Sequence, residues 1–136
     1  MLATPAQAEY TVSTFAGSTG TLGSAAPSGI TDGAAASALF DYPYGIAVSP
    51  DGLTVYICDT VNYRIRKVTG GVVSTFAGPS GTEKLKGTTD GAAASALFNG
   101  PSGIAVSPDG LTVYICDTVN QRIRGMRASW ELASRS

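Results

Sequence analysis

Apolar residues in this chain fall in short runs separated by clusters of glycine, proline, serine, aspartate and asparagine. Gly45 to Ser49 is a β-prone run closed by Ser49-Pro50-Asp51-Gly52. There proline presets φ and glycine supplies a turn conformation that other residues resist, so a hairpin is predicted. Thr54 to Cys58 is the next strand, rich in β-branched and aromatic residues, and Asp59-Thr60-Val61-Asn62 brings Asx-type turn chemistry after it. Tyr63 to Val68, in which Arg64 and Arg66 alternate with Ile65, is predicted as a third strand, and Thr69-Gly70-Gly71 turns the chain into a fourth, Val72 to Phe76. The one helix-prone stretch, Gly33 to Phe40, is too short to be stable alone and reads as a single turn docking Leu39 or Phe40 on the strands.

The pattern is duplicated. Thr31 to Arg66 and Thr89 to Arg124 align without a gap at an offset of 58, and only four of the 36 pairs differ. Self-similarity at a fixed spacing marks an architecture in which neighbouring units bury one another. The fourth strand also occurs ahead of the first unit, as Tyr10 to Phe15, whereas the second unit runs out in Gly125-Met126-Arg127 with no recognisable fourth strand. The expected organisation is a tail (1–9), an orphan outer strand (10–17), repeat 1 (31–78), repeat 2 without its own fourth strand (89–126) and a second tail (127–136). Two units cannot close a ring, so a homo-oligomer or a place in a longer array is expected.

Composition narrows the chemistry. Nine basic and ten acidic side chains leave a net charge of −1, so no global field draws the chain to nucleic acid. No apolar run approaches the roughly 18 residues that span a bilayer. With no histidine and two cysteines, the usual zinc sets cannot be assembled in one chain, and histidine-based acid–base chemistry is excluded. Cys58 and Cys116 occupy the same position of two repeats, a spacing too wide for a disulfide if the units stack, so free thiols are expected. Ala6-Gln7-Ala8 has the small-x-small form of a signal-cleavage site, yet Met1-Leu2-Ala3 is too short for the apolar region that must precede one. A truncated signal remnant implies a secreted or cell-surface protein. A chance match leaves a cytoplasmic one.

Four short strands per unit, repeated, suggest all-β architecture with β-propeller blades of four antiparallel strands. Pro43 to Val68 resembles an NHL repeat: Pro-x-Gly-hydrophobic opens the innermost strand, and Asp-x-x-Asn-x-Arg-Ile links the second strand to the third. The long link with Asp-Gly-Ala-Ala-Ala-Ser-Ala-Leu-Phe resembles the extended-loop version of that repeat. The name-giving histidine is replaced by Tyr63 and Gln121. The resemblance implies a partial propeller and a structural turn motif comprising Asp59, Asn62 and Arg64 in one unit and Asp117, Asn120 and Arg122 in the other.

Candidate chemistry is sparse. Asp59 with Asn62, and Asp117 with Asn120, have metal-ligand atom types, but Asp and Asn at such spacing fix a hairpin by bonding their own backbone; no metal, cofactor or catalytic residue is expected. Arg64, Arg66, Lys67, Arg122 and Arg124 could contact phosphate as some RNA-binding NHL propellers do. Strand alternation instead sends Arg64 and Arg66 to one side, toward carboxylates such as Asp59 or Asp117 of a neighbouring blade. The copies differ at Asp41/Asn99, Tyr42/Gly100, Tyr44/Ser102 and Tyr63/Gln121, all at one end of the blade. Asp41, Tyr42, Tyr44 and Tyr63 are therefore the candidate binding residues, since tyrosine offers large contact area with a polar tip. A non-enzymatic binding or scaffolding module for a protein, peptide or glycan is the favoured reading, with nucleic acid not expected. The alternatives are part of a lactonase- or hydrolase-type propeller or an RNA-binding NHL domain. The strands expected to line a channel offer only Ser49 and Ser107 as polar side chains.

Overall fold

The computed structural model describes residues 6–20 and 28–128. Among these residues, eight strands form two antiparallel sheets: Gly33–Ala34 (β1), Pro43–Val48 (β2), Thr54–Asp59 (β3), Arg64–Thr69 (β4), Val72–Ala77 (β5), Pro101–Val106 (β6), Thr112–Asp117 (β7) and Arg122–Arg127 (β8). The order β1-β5-β4-β3-β2 makes the first blade, and β6-β7-β8 makes the second, which has no outer strand among the described residues. The sheets are not closed into a ring.

The four strands predicted in the first unit and the three predicted in the second are present, and the turns behave as their residues require. Gly52 N–H donates to Ser49 O at 2.8 Å, and Gly52 adopts φ +76°. The Asp51 carboxylate accepts from Ser49 Oγ at 2.6 Å and from Leu53 N–H at 2.9 Å, so the Pro-Asp-Gly turn is locked by its own side chains. Both bonds hold this exposed carboxyl below its usual range.

Two details depart from expectation. Gly33–Ala34 forms a short fifth strand on the edge of β5, and only the residues after it make the expected turn, with Ala38 N–H donating to Ala34 O at 3.0 Å. The partner of β1 lies some forty residues on, and local propensity cannot reveal it. Tyr63 does not begin the third strand. It leaves a 3-10 turn, Thr60–Asn62, in the left-handed conformation at φ +54°, and Gln121 does the same at φ +56°. The orphan segment Tyr10 to Phe15 carries no strand in the chain by itself. Residues 1–5 of the first tail and 129–136 of the second lie outside the described residues.

The blades meet face to face. Cys58, Ile65 and Ala77 of the first pack with Phe98, Val113 and Ile115 of the second in one buried cluster. A separate cluster of Ala38, Ile57, Val68 and Val73 lies in the first blade, with Phe40 and Ala16 against it. Backbones approach closely where the inner strands cross: a Cβ on Gly45 would lie 2.2 Å from Ser102 O, a distance no side chain tolerates. Thr60 Oγ1 donates to Pro101 O at 2.7 Å across the same seam. Cys58 and Cys116 are free thiols, the first buried and the second exposed.

Candidate functional site

The end of the blade where β2 begins, β3 ends and β4 begins is organised by one buried carboxylate. Asp59 closes β3 and is fully buried. Its Oδ1 accepts from Asp41 N–H at 2.8 Å, and its Oδ2 accepts from Asn62 Nδ2 at 2.8 Å and Arg66 Nη1 at 2.7 Å. Asn62 Nδ2 also donates to Gly29 O at 2.7 Å. Arg66 reaches onward to Asp32 at 2.7 Å and to the carbonyls of Thr31 and Leu39, both at 2.9 Å, with its guanidinium 4.8 Å from the Phe40 ring centroid. One side-chain lock therefore joins the 29–32 link, the 39–41 entry and the β3–β4 hairpin. Burial pushes the Asp59 carboxyl upward, against the pull of Asn62, the Asp41 N–H and Arg66.

The second blade repeats the lock. Asp117 accepts from Asn99 N–H at 2.8 Å, Asn120 Nδ2 at 2.8 Å and Arg124 Nη1 at 2.7 Å, and Arg124 bonds Asp90, Leu97 O and Thr89 O. The arginine of the lock is thus Arg66 or Arg124, paired within its own blade and not with a neighbour. Asp59 stands opposite Arg64 in the ladder, which puts Arg66 one diagonal step away on the same face. That cross-strand relation was the signal available in the sequence. Arg64 instead donates to Asn62 O, Gly81 O and Glu83 O, tethering the link between the blades. Burial, with Arg66 nearby, pushes its guanidinium downward. Arg122 is exposed and reaches Thr88 O at 3.4 Å.

These contacts define what the cluster can do. Both Asp59 oxygens accept bonds, one of them from a guanidinium, so a metal ion would have to displace a buried cation. Among the described residues, no group of three or more acidic or thiol side chains could hold a metal. Arg64 and Arg66 are fully buried and Arg124 nearly so, which removes most of the guanidinium set that an RNA backbone would contact.

The candidate binding residues lie beside this lock. Asp41 is buried, and its carboxylate pairs with Lys84, so it is not a free surface acid. Tyr42 is 76% exposed and Tyr44 81% exposed. Val61 N–H donates to Asp41 O at 3.1 Å, which draws the turn carrying Tyr63 against the entry carrying Tyr42. Tyr63 is half-buried, with Lys86 Nζ 5.9 Å from its ring centroid. Two adjoining grooves share Ala16, Phe40 and Pro43: one of about 360 Å³ beside Tyr44 and one of about 400 Å³ beside Tyr42. Tyr42 also holds φ +53°, where its counterpart Gly100 has φ +61°. Lys84 and Lys86, in the link that differs between the units, had no marker in the sequence.

The NHL repeat pattern matches residues 98–126. NHL repeat-containing protein 2 of Gallus gallus is 29% identical over 96 residues, covering 71% of this chain and 13% of that protein. An auxiliary nutrient binding protein of Bacteroides ovatus superposes with a TM-score of 0.64 at 31% identity, over 76% of this chain and 26% of its own. A Bacteroides thetaiotaomicron protein with a provisional phosphatase name superposes with a TM-score of 0.68 at 27% identity, over 84% of this chain and 26% of its own. The chain thus spans about an eighth of the chicken relative and a quarter of each solved structure. Its paired Asp–Asn–Arg locks, its antiparallel blades and these likenesses agree: the chain belongs to the NHL-repeat family and forms an open, partial β-propeller.

Proposed function

We propose that the chain is a non-enzymatic binding module, whose recognition surface is the blade end bearing Tyr42, Tyr44 and Tyr63 and whose partner is a protein, peptide or glycan. The observation that carries this reading is Tyr42. A bulky residue at positive φ is an outlier, disfavoured by roughly 1–2 kcal/mol relative to glycine's ease there. The other copy places Gly100 in the same conformation. A strained, largely exposed aromatic in place of glycine supports a role outside the fold, since strain of this kind collects at functional positions. The neighbouring grooves give an aromatic or apolar group somewhere to enter, and the name of the Bacteroides ovatus structure is in keeping with ligand binding by this architecture.

The test is to screen the chain against peptide and glycan arrays beside the triple variant Tyr42→Gly, Tyr44→Ser, Tyr63→Gln, which restores the second repeat's residues. Loss of a hot spot should weaken binding by about 2 kcal/mol, or roughly thirtyfold. Stability should not fall by more than about 0.5 kcal/mol, the range for surface substitutions, and it can rise by up to about 1–2 kcal/mol because Tyr42→Gly relieves the positive-φ strain. Equal binding by both proteins would show that these tyrosines are not the contacts.

A further inference from the structure

The first blade shows what the second one lacks. Strand β5 closes the first blade by pairing with β4, with Thr75 opposite Arg66 and Val73 opposite Val68, and by pairing with β1 on its other edge. Thr75 donates to Asp32 Oδ2 from its N–H at 3.1 Å and from its Oγ1 at 2.9 Å. In the second blade a cavity of about 590 Å³ lies at the corresponding place, lined by β8 and by Asp90, Gly91 and Ala93. Asp90 is the counterpart of Asp32, and it is 81% exposed where Asp32 is 39% exposed. Among the described residues no strand pairs with the outer edge of β8 along Arg124, Gly125 and Met126, a ready template for another strand.

The chain also holds a second copy of the fourth-strand sequence that joins no sheet. Val12 to Gly17 repeats Val73 to Gly78 residue for residue. Its end is already docked as β5's end is: Gly17 N–H donates to Ala35 O at 2.8 Å, as Gly78 N–H donates to Ala93 O at 2.9 Å. By that equivalence, residues 10–15 leave the first blade on the side away from the second, and Tyr10 and Val12 are fully exposed. Both halves of the buried seam between the blades are displayed as well. The face of the first blade that meets the second carries Tyr56, Cys58 and Ile65; the copies Tyr114, Cys116 and Ile123 lie exposed on the far face of the second. The face of the second blade that meets the first includes Ile104 and Val106, whose copies Ile46 and Val48 are exposed.

We propose that the open face of the second blade binds a second copy of this chain, head to tail, with residues 10–15 of that copy entering the vacant fourth-strand slot beside β8. The occupant is set by continuity: the contact repeats, residue for residue, the seam that already joins the two blades. The register follows from the first blade. Thr14 of the second copy stands opposite Arg124, Ser13 opposite Gly125 and Val12 opposite Met126, with the N–H and Oγ1 of Thr14 on Asp90. Gly103 then meets the carbonyl of Tyr44 as Gly45 meets that of Ser102, and Thr118 Oγ1 takes Pro43 O as Thr60 Oγ1 takes Pro101 O. Cys116 becomes as covered as Cys58. The same contact covers the groove that Thr14, Phe15, Tyr44 and Ile46 line, so the groove beside Tyr42 is the one left to another partner.

The experiment is light scattering of the 136-residue chain over a dilution series, combined with the rate of Cys116 alkylation by iodoacetamide. The expected mass is a multiple of 13.8 kDa, with Cys116 protected at high concentration and reactive on dilution. Val12→Asp and Ile123→Asp, each at a position exposed in the single chain, should weaken association by about tenfold or more through an unpaired buried charge, and leave the circular dichroism spectrum unchanged. A chain that stays at 13.8 kDa throughout overturns the proposal. So does an oligomer in which Val12→Asp alters neither the mass nor the protection of Cys116.

Discussion

Replacing Arg66 by leucine removes the cation that Asp59 faces, in a site where both side chains are fully buried. Three effects act together. The carboxylate keeps its burial and two other donors but loses its charge partner, Asp32 loses its ion pair, and the carbonyls of Thr31 and Leu39 lose their donor. Breaking a buried pair by deleting one member destabilises by about 3–5 kcal/mol, because an uncompensated charge is left behind. Set against a net stability of about 5–15 kcal/mol for a folded domain, that is a large fraction. Urea denaturation followed by circular dichroism measures it directly. The pH dependence supplies a second, independent reading. A carboxyl whose folded-state pKa lies above its unfolded value stabilises fully below the unfolded pKa, and that contribution is lost as pH rises through the folded value. Burial already places Asp59 above 3.8, and removing Arg66 takes away two of the influences that pull it down. The deficit of Arg66→Leu relative to the parent should be greatest near neutrality and shrink as pH falls toward 3.8. A loss below about 1 kcal/mol at neutral pH would mean that the pair contributes little beyond shape. A deficit independent of pH would mean that the damage comes from the carbonyls rather than from Asp59.

Other outcomes follow from single contacts. Gly45→Ala should destabilise by about 1–3 kcal/mol, because its Cβ would lie 2.2 Å from the Ser102 carbonyl and the blades must part to admit it; differential scanning calorimetry reads the loss. Gly78→Ala should destabilise by at least about 1 kcal/mol, measured by urea denaturation, since Gly78 has φ +103° and a Cβ there would lie 2.9 Å from Arg64 Cβ. Dilute native chain should react with iodoacetamide at Cys116 well before Cys58, whose thiol is buried and pushed up to about 12; mass spectrometry of the labelled peptides gives the order, and equal rates would contradict the burial.

The hairpins were legible because their information is local. Ser49-Pro50-Asp51-Gly52 carries in four residues both the φ restriction and the carboxylate that bonds back to the turn, and its copy Ser107 to Gly110 does the same. That Asp59 and Asn62 organise this turn was legible for the same reason, but their partners were not: the expected bonds to their own turn's backbone are replaced by a bond between the two side chains and by bonds to Asp41 N–H and Gly29 O. What could not be read was the destination of the arginines. Arg64 and Arg66 alternate identically in the sequence, yet one ends in the carbonyls of residues 81 and 83 and the other between two carboxylates. That choice depends on where the links settle, and the links are the part of the unit with least regular structure. The tyrosine end was legible in part: comparison of the copies picked out Tyr42 and Tyr44, both exposed, but also Asp41, which Lys84 and the Val61 N–H draw into the structure.

The two units amount to an internal control, since nearly the same residues experience different neighbours. The lock residues Asp59 and Asp117 are fully buried in both, whichever blades surround them. The sheet faces behave otherwise. Cys58 and Ile65 are buried where a second blade covers them, while Cys116 and Ile123 lie open where none does, Ile123 to 68%. Sequence therefore specifies the turn and its lock within one unit, whereas burial of the sheet faces is specified only by the next unit. A repeat of this kind stores its shape locally and draws its stability from stacking, as expected for arrays in which each unit contacts its neighbours alone. The two contributions should separate under mutation: Arg66→Leu acts on the integrity of one unit, and Gly45→Ala on the seam between two. A chain with one covered seam and two open faces is consequently stabilised by whatever covers them, and its own repeat already displays both matching halves.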